Sequence, residues 1–395
     1  MTSPQKKVAI FTGNRAEYGL QYPIIRAIAD HPDLEYYLLA SGAHLQDNFG
    51  NTKEEITKDG IEVYGEVKIE FPEDTLTGTA HAIGSGILNM KTILDRLRPD
   101  MLVVYADRFE GFAAVISGTQ MGIPTAHVEG GDITEGGALD DSVRHAMTKL
   151  SHIHFTTNED ASNRILKLGE EPWRVHNVGF PVIDLIMDEN FASETELKKR
   201  FHWDMQKPVV IFTQHSVTTE FDLTNTQIKP ALDAMCQLSE EGIQVLITYP
   251  NNDAGGQMII EHIEELKSRN LGNLQIYPSV GRYYYHGILN YCGNNGVCVG
   301  NSSSGIKETP AFGCPTVNIG SRQKGRLRSD NVIDTGYDIK EIKAAVEKAL
   351  YDLDFRRRCD SCDNPYGTGG TGKKVARILS ETEINLKLLQ KKMTF

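Results

Sequence analysis

Two alternating patterns run along the chain. Short apolar runs at 7–12 (KVAIFT), 35–40 (EYYLLA), 101–105 (MLVVY), 124–128 (PTAHV) and 152–157 (HIHFTT) are separated by segments with apolar residues at helical spacing, such as 16–30, 112–121 and 142–150. The alternation then starts again, with runs at 209–213 (VVIFT), 245–248 (VLIT), 274–277 (LQIY), 297–299 (VCV) and 316–319 (TVNI). Nearly unbroken apolar strands interleaved with helices predict parallel sheets covered on both faces. Two such blocks predict an α/β chain with two Rossmann-like domains. Strand signal vanishes and charge rises over 189–207, which places the junction there. Residues 1–188 are then the first domain and 189–373 the second.

The polar and small residues sit where such sheets bind ligands, just past the carboxyl ends of the strands. Asn14 and Arg15 follow the first run, Asp107 and Arg108 follow MLVVY, and Glu129-Gly130-Gly131 follows PTAHV. His215 follows VVIFT, the block NNDAGG at 251–256 follows VLITYP, and GNSSSG at 300–305 follows VCV. If the two domains face each other, six strand ends share one crevice.

Composition narrows the ligand. The 395 residues carry 53 acidic against 41 basic side chains, a formal charge of −12, so an anion has to be held by a local cluster, and a sequence-independent nucleic-acid binder is excluded. No apolar run approaches a membrane span, and the N-terminal apolar stretch, Val8 to Phe11, is too short for a signal peptide. A cytoplasmic protein is expected. Six cysteines are too few for a disulfide framework and read as reduced thiols.

The stretch 299–308 (VGNSSSGIKE) reads as strand, small-residue turn, then helix, a setting in which Ser302, Ser303 and backbone amides suit a phosphate or pyrophosphate. Glu308, about one turn further on, suits the two hydroxyls of a ribose. Two other patterns fail on context. The stretch 367–374 (GTGGTGKK) matches G-x-G-x-x-G, but no strand precedes it and Lys374 stands where a magnesium-binding hydroxyl is needed, so it reads as the lead-in to a final helix. Cys359 and Cys362 form a CxxC without a second pair, and the H-x-E at 127–129 lacks its partner Pro-Cys element, so no metal and no cofactor is expected.

Asp107, Glu129, Asp140 and Asp141 are carboxylates at or just after strand ends, with His145 and His215 the nearest imidazoles. Clustered acids cannot all ionise freely, and divergent protonation supplies one base and one acid around a sugar carbon with oxocarbenium character. Arg15 and Arg108 can neutralise a leaving diphosphate, with His215 as donor. Helix capping and surface salt bridges account for Asp141 and Arg144, but not for Asp107 and Glu129, which terminate buried strands.

At these residues the chain resembles the hydrolysing UDP-N-acetylglucosamine 2-epimerases, over nearly its whole length. The carriers are GNRAEY at 13–18, ADR at 106–108, HVEGG at 127–131, DDSVRHAMTKLSH at 140–152, QHSVTT at 214–219, YPNNDAG at 249–255, GNSSSG at 300–305 and SRQ at 321–323. The resemblance implies a GT-B-like fold, ligand between two Rossmann-like domains, and a C-terminal helix (374–395) returning to the first. It implies elimination of UDP across C1–C2 to a 2-acetamidoglucal, then hydration to N-acetylmannosamine, in a pathway to sialic-type nonulosonic acids. Position by position, Asp107, Glu129 and Asp140 match the family's catalytic carboxylates and His215 its active-site histidine. Arg15, Arg108, Asn251, Ser302, Ser303, Glu308 and Arg322 match nucleotide-contacting positions. The loop 132–139 is longer than in the animal bifunctional enzymes, which leaves Asp140 and Asp141 both open for the third carboxylate. A homodimer or homotetramer is implied, with a UDP-sugar as the ligand and neither nucleic acid nor membrane as partner. UDP-N,N′-diacetylbacillosamine is the alternative substrate. A GT-B glycosyltransferase and a nucleotide-sugar-binding regulator without chemistry are the alternative functions.

Overall fold

The computed structural model describes residues 4–45, 53–70, 76–133, 139–251, 255–269 and 271–395. Its described residues divide into two compact units: those up to 184 with the segment 366–395, and those of 185–365. The crossing thus falls at 184/185, ahead of the charged stretch, and the chain returns to the first unit at 366, before the final helix begins.

The first unit is built on seven strands among the described residues: β1 (Lys6–Thr12), β2 (Leu34–Ser41), β3 (Val63–Val67), β4 (Met101–Tyr105), β5 (Thr125–Val128), β6 (Ile153–Thr156) and β7 (Val175–Asn177). Every pairing is parallel and the order is β3-β2-β1-β4-β5-β6-β7. Side-chain alternation along β1 feeds two cores. Val8 and Ile10 pack with Ile24, Ile25 and Ile28 of the helix Arg15–Ala29 and with Val375, Ala376 and Leu379 of the helix Thr371–Glu381. Ala9 and Phe11 point the other way, onto Met90, Leu94, Ala114 and Val115.

The second unit repeats the design with six strands among the described residues: β8 (Val209–Thr213), β9 (Gln244–Thr248), β10 (Leu274–Tyr277), β11 (Gly296–Gly300), β12 (Thr316–Ile319) and β13 (Val332–Thr335). Their order is β10-β9-β8-β11-β12-β13, again all parallel. Val210 and Phe212 face Ile228, Leu232 and Met235, while Val209 and Ile211 face Ile288, Leu289 and Cys292. In both sheets the order reverses beside the first strand, and such a switch point opens a crevice at the strands' carboxyl ends. Asn14 and Asp107 follow the two switch strands of the first sheet, and His215 and Asn301 those of the second.

The chain's end is tied to the first unit by charge. Arg174, fully buried, donates to the carbonyls of Leu388 and Lys387, both at 2.9 Å. Lys391 lies 2.8 Å from Glu170, which also accepts from Lys149 (2.6 Å) and His154 (3.0 Å). Although burial opposes it, the donors His154, Lys149 and Lys391 hold the Glu170 carboxyl down to about 2. The G-x-G-x-x-G segment is explained here as well. The amides of Thr371 and Gly372, which open the last long helix, are taken by the Asp184 carboxylate at 2.9 and 2.8 Å. No helix among the described residues is long and apolar enough to cross a membrane.

Candidate active site

In the first unit β4 and β5 are hydrogen-bonded neighbours, so Asp107 and Glu129, each just past a strand end, emerge side by side. The backbone at both ends leaves ordinary geometry. Ala106 has φ +54° and Glu129 φ +64°, left-handed conformations that cost a residue with a side chain about 1–2 kcal/mol. Hydrogen bonds hold the turns: Ala106 N–H donates to the Val128 carbonyl and Glu129 N–H to the Phe155 carbonyl, both at 2.9 Å. His127 is a strut between them. Its Nε2–H must be the donor to the Ala106 carbonyl (2.7 Å), so Nδ1 accepts from the Thr148 hydroxyl (3.1 Å). Burial pulls this imidazole down to about 3, and it stays neutral. Gly131, at φ +76°, lies so close to the helix Glu159–Lys167 that a Cβ would sit 2.3 Å from the Ala161 carbonyl.

The helix Leu139–Leu150 supplies the cation of this region. Arg144 is buried and ion-paired to Asp107, and its other amino nitrogen lies 3.3 Å from the buried Asp141. The expected surface salt bridge between Asp141 and Arg144 is therefore a buried one, and it grips Asp107 as well. Asp140 is exposed at the start of the helix, and its charge acts on Arg108. Arg108 pairs with the buried Glu110 at 3.3 Å. His145 Nδ1 is buried without a hydrogen-bond partner.

The turn after β1 adds a second acid pair that the sequence reading did not single out. Asn14 caps the helix Arg15–Ala29, its side chain accepting from the Glu17 amide at 3.0 Å. The buried Glu17 carboxyl receives the Gly13 amide (3.2 Å) and the Gln21 amide nitrogen (3.0 Å). Burial first, and the Glu110 charge second, push Glu17 up to about 8, so near neutral pH it is a carboxylic acid. An acid three residues after an N-cap signals capping, which is why it drew no attention as chemistry. Arg15 opens this helix, but its side chain lies outside the described residues.

In the second unit the close approach of β8 and β11 decides the local structure. Gly300 has φ +125°, and a Cβ there would lie 1.9 Å from the Thr213 carbonyl, so no other residue fits. Asn301 then clamps the neighbouring turn from both sides: its Oδ1 accepts from His215 N–H (2.7 Å) and its Nδ2 donates to the His215 carbonyl (2.9 Å). His215 Nδ1 lies 3.0 Å from the Asn251 backbone nitrogen and 3.1 Å from the Asn251 side-chain oxygen. Burial, with the Arg322 charge second, draws this imidazole down to about 3. His215 therefore offers a neutral N–H donor. Residues 252–254 of the NNDAGG block lie outside the described residues.

The serine turn is wired in series. The Ser304 hydroxyl donates to Ser302 Oγ (3.1 Å) and lies 2.6 Å from the Tyr285 hydroxyl, which leaves Ser302 O–H to point elsewhere. Ser303 precedes the short helix Ser304–Lys307. Glu308 accepts from His286 Nε2 at 2.9 Å, a buried pair that fixes one carboxylate oxygen. Arg322 and Gln323 both donate to the Asn301 carbonyl, at 3.2 and 2.8 Å. The second unit thus gathers His215, Asn251, Ser302, Ser303, Glu308 and Arg322 on segments that follow its strands. The first gathers Asp107, Arg108, Glu129 and Asp140. Asn301, in the turn after β11, and Tyr285 and His286, inside the helix Gly281–Asn295, were not legible as supports of this turn, because such residues carry no distinctive spacing there. All six cysteines are free thiols, and among the described residues no group of three His, Cys, Asp or Glu side chains could hold a metal.

Comparison with known proteins bears on this geometry. The family model described as UDP-N-acetylglucosamine 2-epimerase matches residues 26–380. A UDP-N,N′-diacetylbacillosamine 2-epimerase (hydrolyzing) of Legionella pneumophila is 30% identical over 386 residues, covering 98% of each chain. A UDP-N-acetylglucosamine 2-epimerase of Neisseria meningitidis is also 30% identical, covering 96% of each. Among solved structures, the UDP-GlcNAc 2-epimerase from Neisseria meningitidis bound to UDP-GlcNAc superimposes with a TM-score of 0.81 at 18% identity, covering 96% of this chain and 100% of the other. The likeness in fold identifies a GT-B-like α/β architecture. With the matched model spanning most of the sequence and full-length relatives at 30% identity, the chain belongs to the UDP-N-acetylglucosamine 2-epimerase family and is a UDP-sugar 2-epimerase.

Proposed function

We propose that this enzyme is a hydrolysing 2-epimerase that converts UDP-N-acetylglucosamine to UDP and N-acetylmannosamine, for a pathway leading to sialic-type nonulosonic acids. The observation that carries the reading is the pair Asp107 and Glu129 on adjacent strand ends, one bound to a buried guanidinium and the other on strained backbone. Two acids in unlike surroundings serve a reaction that needs a base and an acid in turn. In the first step a carboxylate takes the proton on C2, its C–H pair forms the C1=C2 bond, and the C1–O bond breaks to release UDP. Arg15, Arg108 and His215 meet the negative charge that develops on the diphosphate. In the second step water adds its oxygen to C1 and gives up a proton to a carboxylate, while a carboxylic acid returns a proton to the other face of C2. Asp140 is the third acid of this set. Asn251, Ser302, Ser303, Glu308 and Arg322 hold the nucleotide.

A second substrate, UDP-N,N′-diacetylbacillosamine, is favoured by the name of the Legionella pneumophila relative, which covers 98% of this chain. Both sugars carry the 2-acetamido group and C2 proton that the chemistry uses, so the two readings differ only at C4 and C6. Incubation with each nucleotide sugar separately in deuterated water tests both. UDP release with deuterium at C2 of N-acetylmannosamine is the expected result. Turnover of the diacetylbacillosamine nucleotide alone would transfer the assignment to the second substrate, and a product keeping its C2 hydrogen would exclude elimination and hydration altogether.

A further inference from the structure

The helix Gly281–Asn295 packs against the segment 302–312 that follows β11, and it is fixed there at three points. Gly293 comes so close that a Cβ would lie 2.2 Å from the Phe312 carbonyl. The Tyr285 hydroxyl stands 2.6 Å from the Ser304 hydroxyl, and burial holds the phenol proton on, well above the ordinary range. His286, 2% exposed, reaches Glu308 through Nε2 at 2.9 Å, and its ring centre lies 5.7 Å from that of Phe312. With the helix held on either side of it, the imidazole presents its N–H from a fixed place.

The other ring nitrogen, Nδ1, is buried with no hydrogen-bond partner among the described residues. A carboxylate accepts and does not donate, so Nε2 carries the ring proton in the bond to Glu308 Oε2. A leucine would fill the space without leaving a nitrogen unpaired, so packing alone does not require a histidine here. What the histidine adds is a fixed place for Oε2 and therefore for Oε1, the oxygen left to accept from a ligand. A carboxylate already held gives up less freedom when it binds, and a hydroxyl donating to a charged oxygen makes a strong hydrogen bond. We infer that His286 is a positioning residue for the nucleotide, holding the Glu308 carboxylate so that its second oxygen accepts from the ribose hydroxyls and the site selects ribonucleotides. The inference rests on the reading that Glu308 meets the ribose.

Calorimetric titration of the full-length protein with UDP and with its 2′,3′-dideoxy analogue tests this. The parent should bind UDP about ten-fold or more tightly than the analogue, which lacks the donors to a charged acceptor. His286→Leu should weaken UDP about ten-fold and the analogue less than about two-fold, so that the preference disappears. His286→Gln, whose amide nitrogen can reach the place of Nε2, should keep most of it. Glu308→Ala should abolish the preference, and adding His286→Leu to it should change UDP binding no further. This double variant also serves if His286→Leu alone does not fold, because it leaves no unpaired carboxylate behind. A purely structural histidine would weaken both ligands alike. Equal weakening of the two, a parental preference in His286→Leu, or a further loss of UDP binding in the double variant would overturn the inference. A parent that binds both nucleotides alike, or a preference that survives Glu308→Ala, would instead overturn the ribose reading beneath it.

Discussion

The strand ends of the two sheets occupy equivalent positions in equivalent topologies, yet they are built from opposite materials. The first sheet's ends set acids around arginines: Asp107 and Asp141 share Arg144, and Glu110 pairs with Arg108 beside the neutral Glu17. Its two strained residues, Ala106 and Glu129, flank the same acids. The second sheet's ends are held by a glycine that admits no side chain, an asparagine clamp and an uncharged histidine, with Arg322 donating to the clamp's carbonyl. On the function proposed above, the contrast follows from the tasks. Moving a proton requires acids whose charge states differ, which buried ion pairs and local strain can supply. Holding an anion requires fixed donors, which a rigid turn can supply.

Gly300→Ala breaks the second half of the comparison and is the largest effect expected. The added methyl would lie 1.9 Å from the Thr213 carbonyl at a φ of +125°, so β8 and β11 must separate or the turn must unwind. Combined clash and backbone strain should cost at least about 3 kcal/mol, read as a shift in urea midpoint at unchanged slope. UDP binding measured by calorimetry should be lost with it, since Asn301 and Ser302 follow directly. A variant as stable as the parent would mean that the turn is looser than its geometry indicates.

Arg144→Leu does the same to the first half, more mildly. It removes the shared cation and leaves Asp107 and Asp141 facing each other in a largely buried site. Breaking a buried pair in this way costs roughly 3–5 kcal/mol, and the partial exposure of Asp107, 18%, lowers the expectation to about 2–3 kcal/mol. The sign with pH is definite. Without the cation both carboxyls take up protons more readily in the folded state than in the unfolded one, so the loss grows as pH rises from about 4 to 7 and fades below about 3. Asp141→Asn in the same chain should restore part of it. Denaturation curves at pH 3 and pH 7 check both statements, and equal losses at the two values would show that packing, not charge, is what Arg144 supplies.

The fold's central strands were legible because they are buried on both faces and read as unbroken apolar runs. Edge strands were not. β3, β7 and β13 are half-exposed, with sequences such as VYGEV and VHN that carry neither an apolar run nor clean alternation. β10, also an edge, was found only because LQIY happens to be apolar. In the site, Asp107, Glu129, His215 and the serine turn were visible because a strand pattern stops there and a polar residue follows. Arg144, Glu17, Glu110 and Asn301 were hidden for a common reason. Each acts on a residue distant in sequence or masquerades as a helix cap, and only the parallel pairing of strands reveals the partner. Part of the charge over 189–207 belongs to the helix Glu194–Phe201, with its capping box at Ser193 and Glu196.

The choice between Asp140 and Asp141 is the finest test of how the first sheet's acids divide their work. Both stand in the first turn of the helix Leu139–Leu150, where a negative charge is favoured by about 0.3–1 kcal/mol. Beyond that they differ. Asp141 is buried against Arg144, so its charge is spent on structure; Asp140 is exposed and acts on Arg108. Asp140→Asn should therefore change stability by no more than about 0.5 kcal/mol, the smallest effect expected here, while UDP release falls about a hundred-fold. Asp141→Asn should cost about 1–2 kcal/mol in denaturation and leave kcat within about ten-fold. The reverse pattern, a silent Asp140→Asn and an inactive but stable Asp141→Asn, would move the third acid to Asp141. It would also mean that Arg144 serves two reacting carboxylates, a group of the active site and not a brace beneath it.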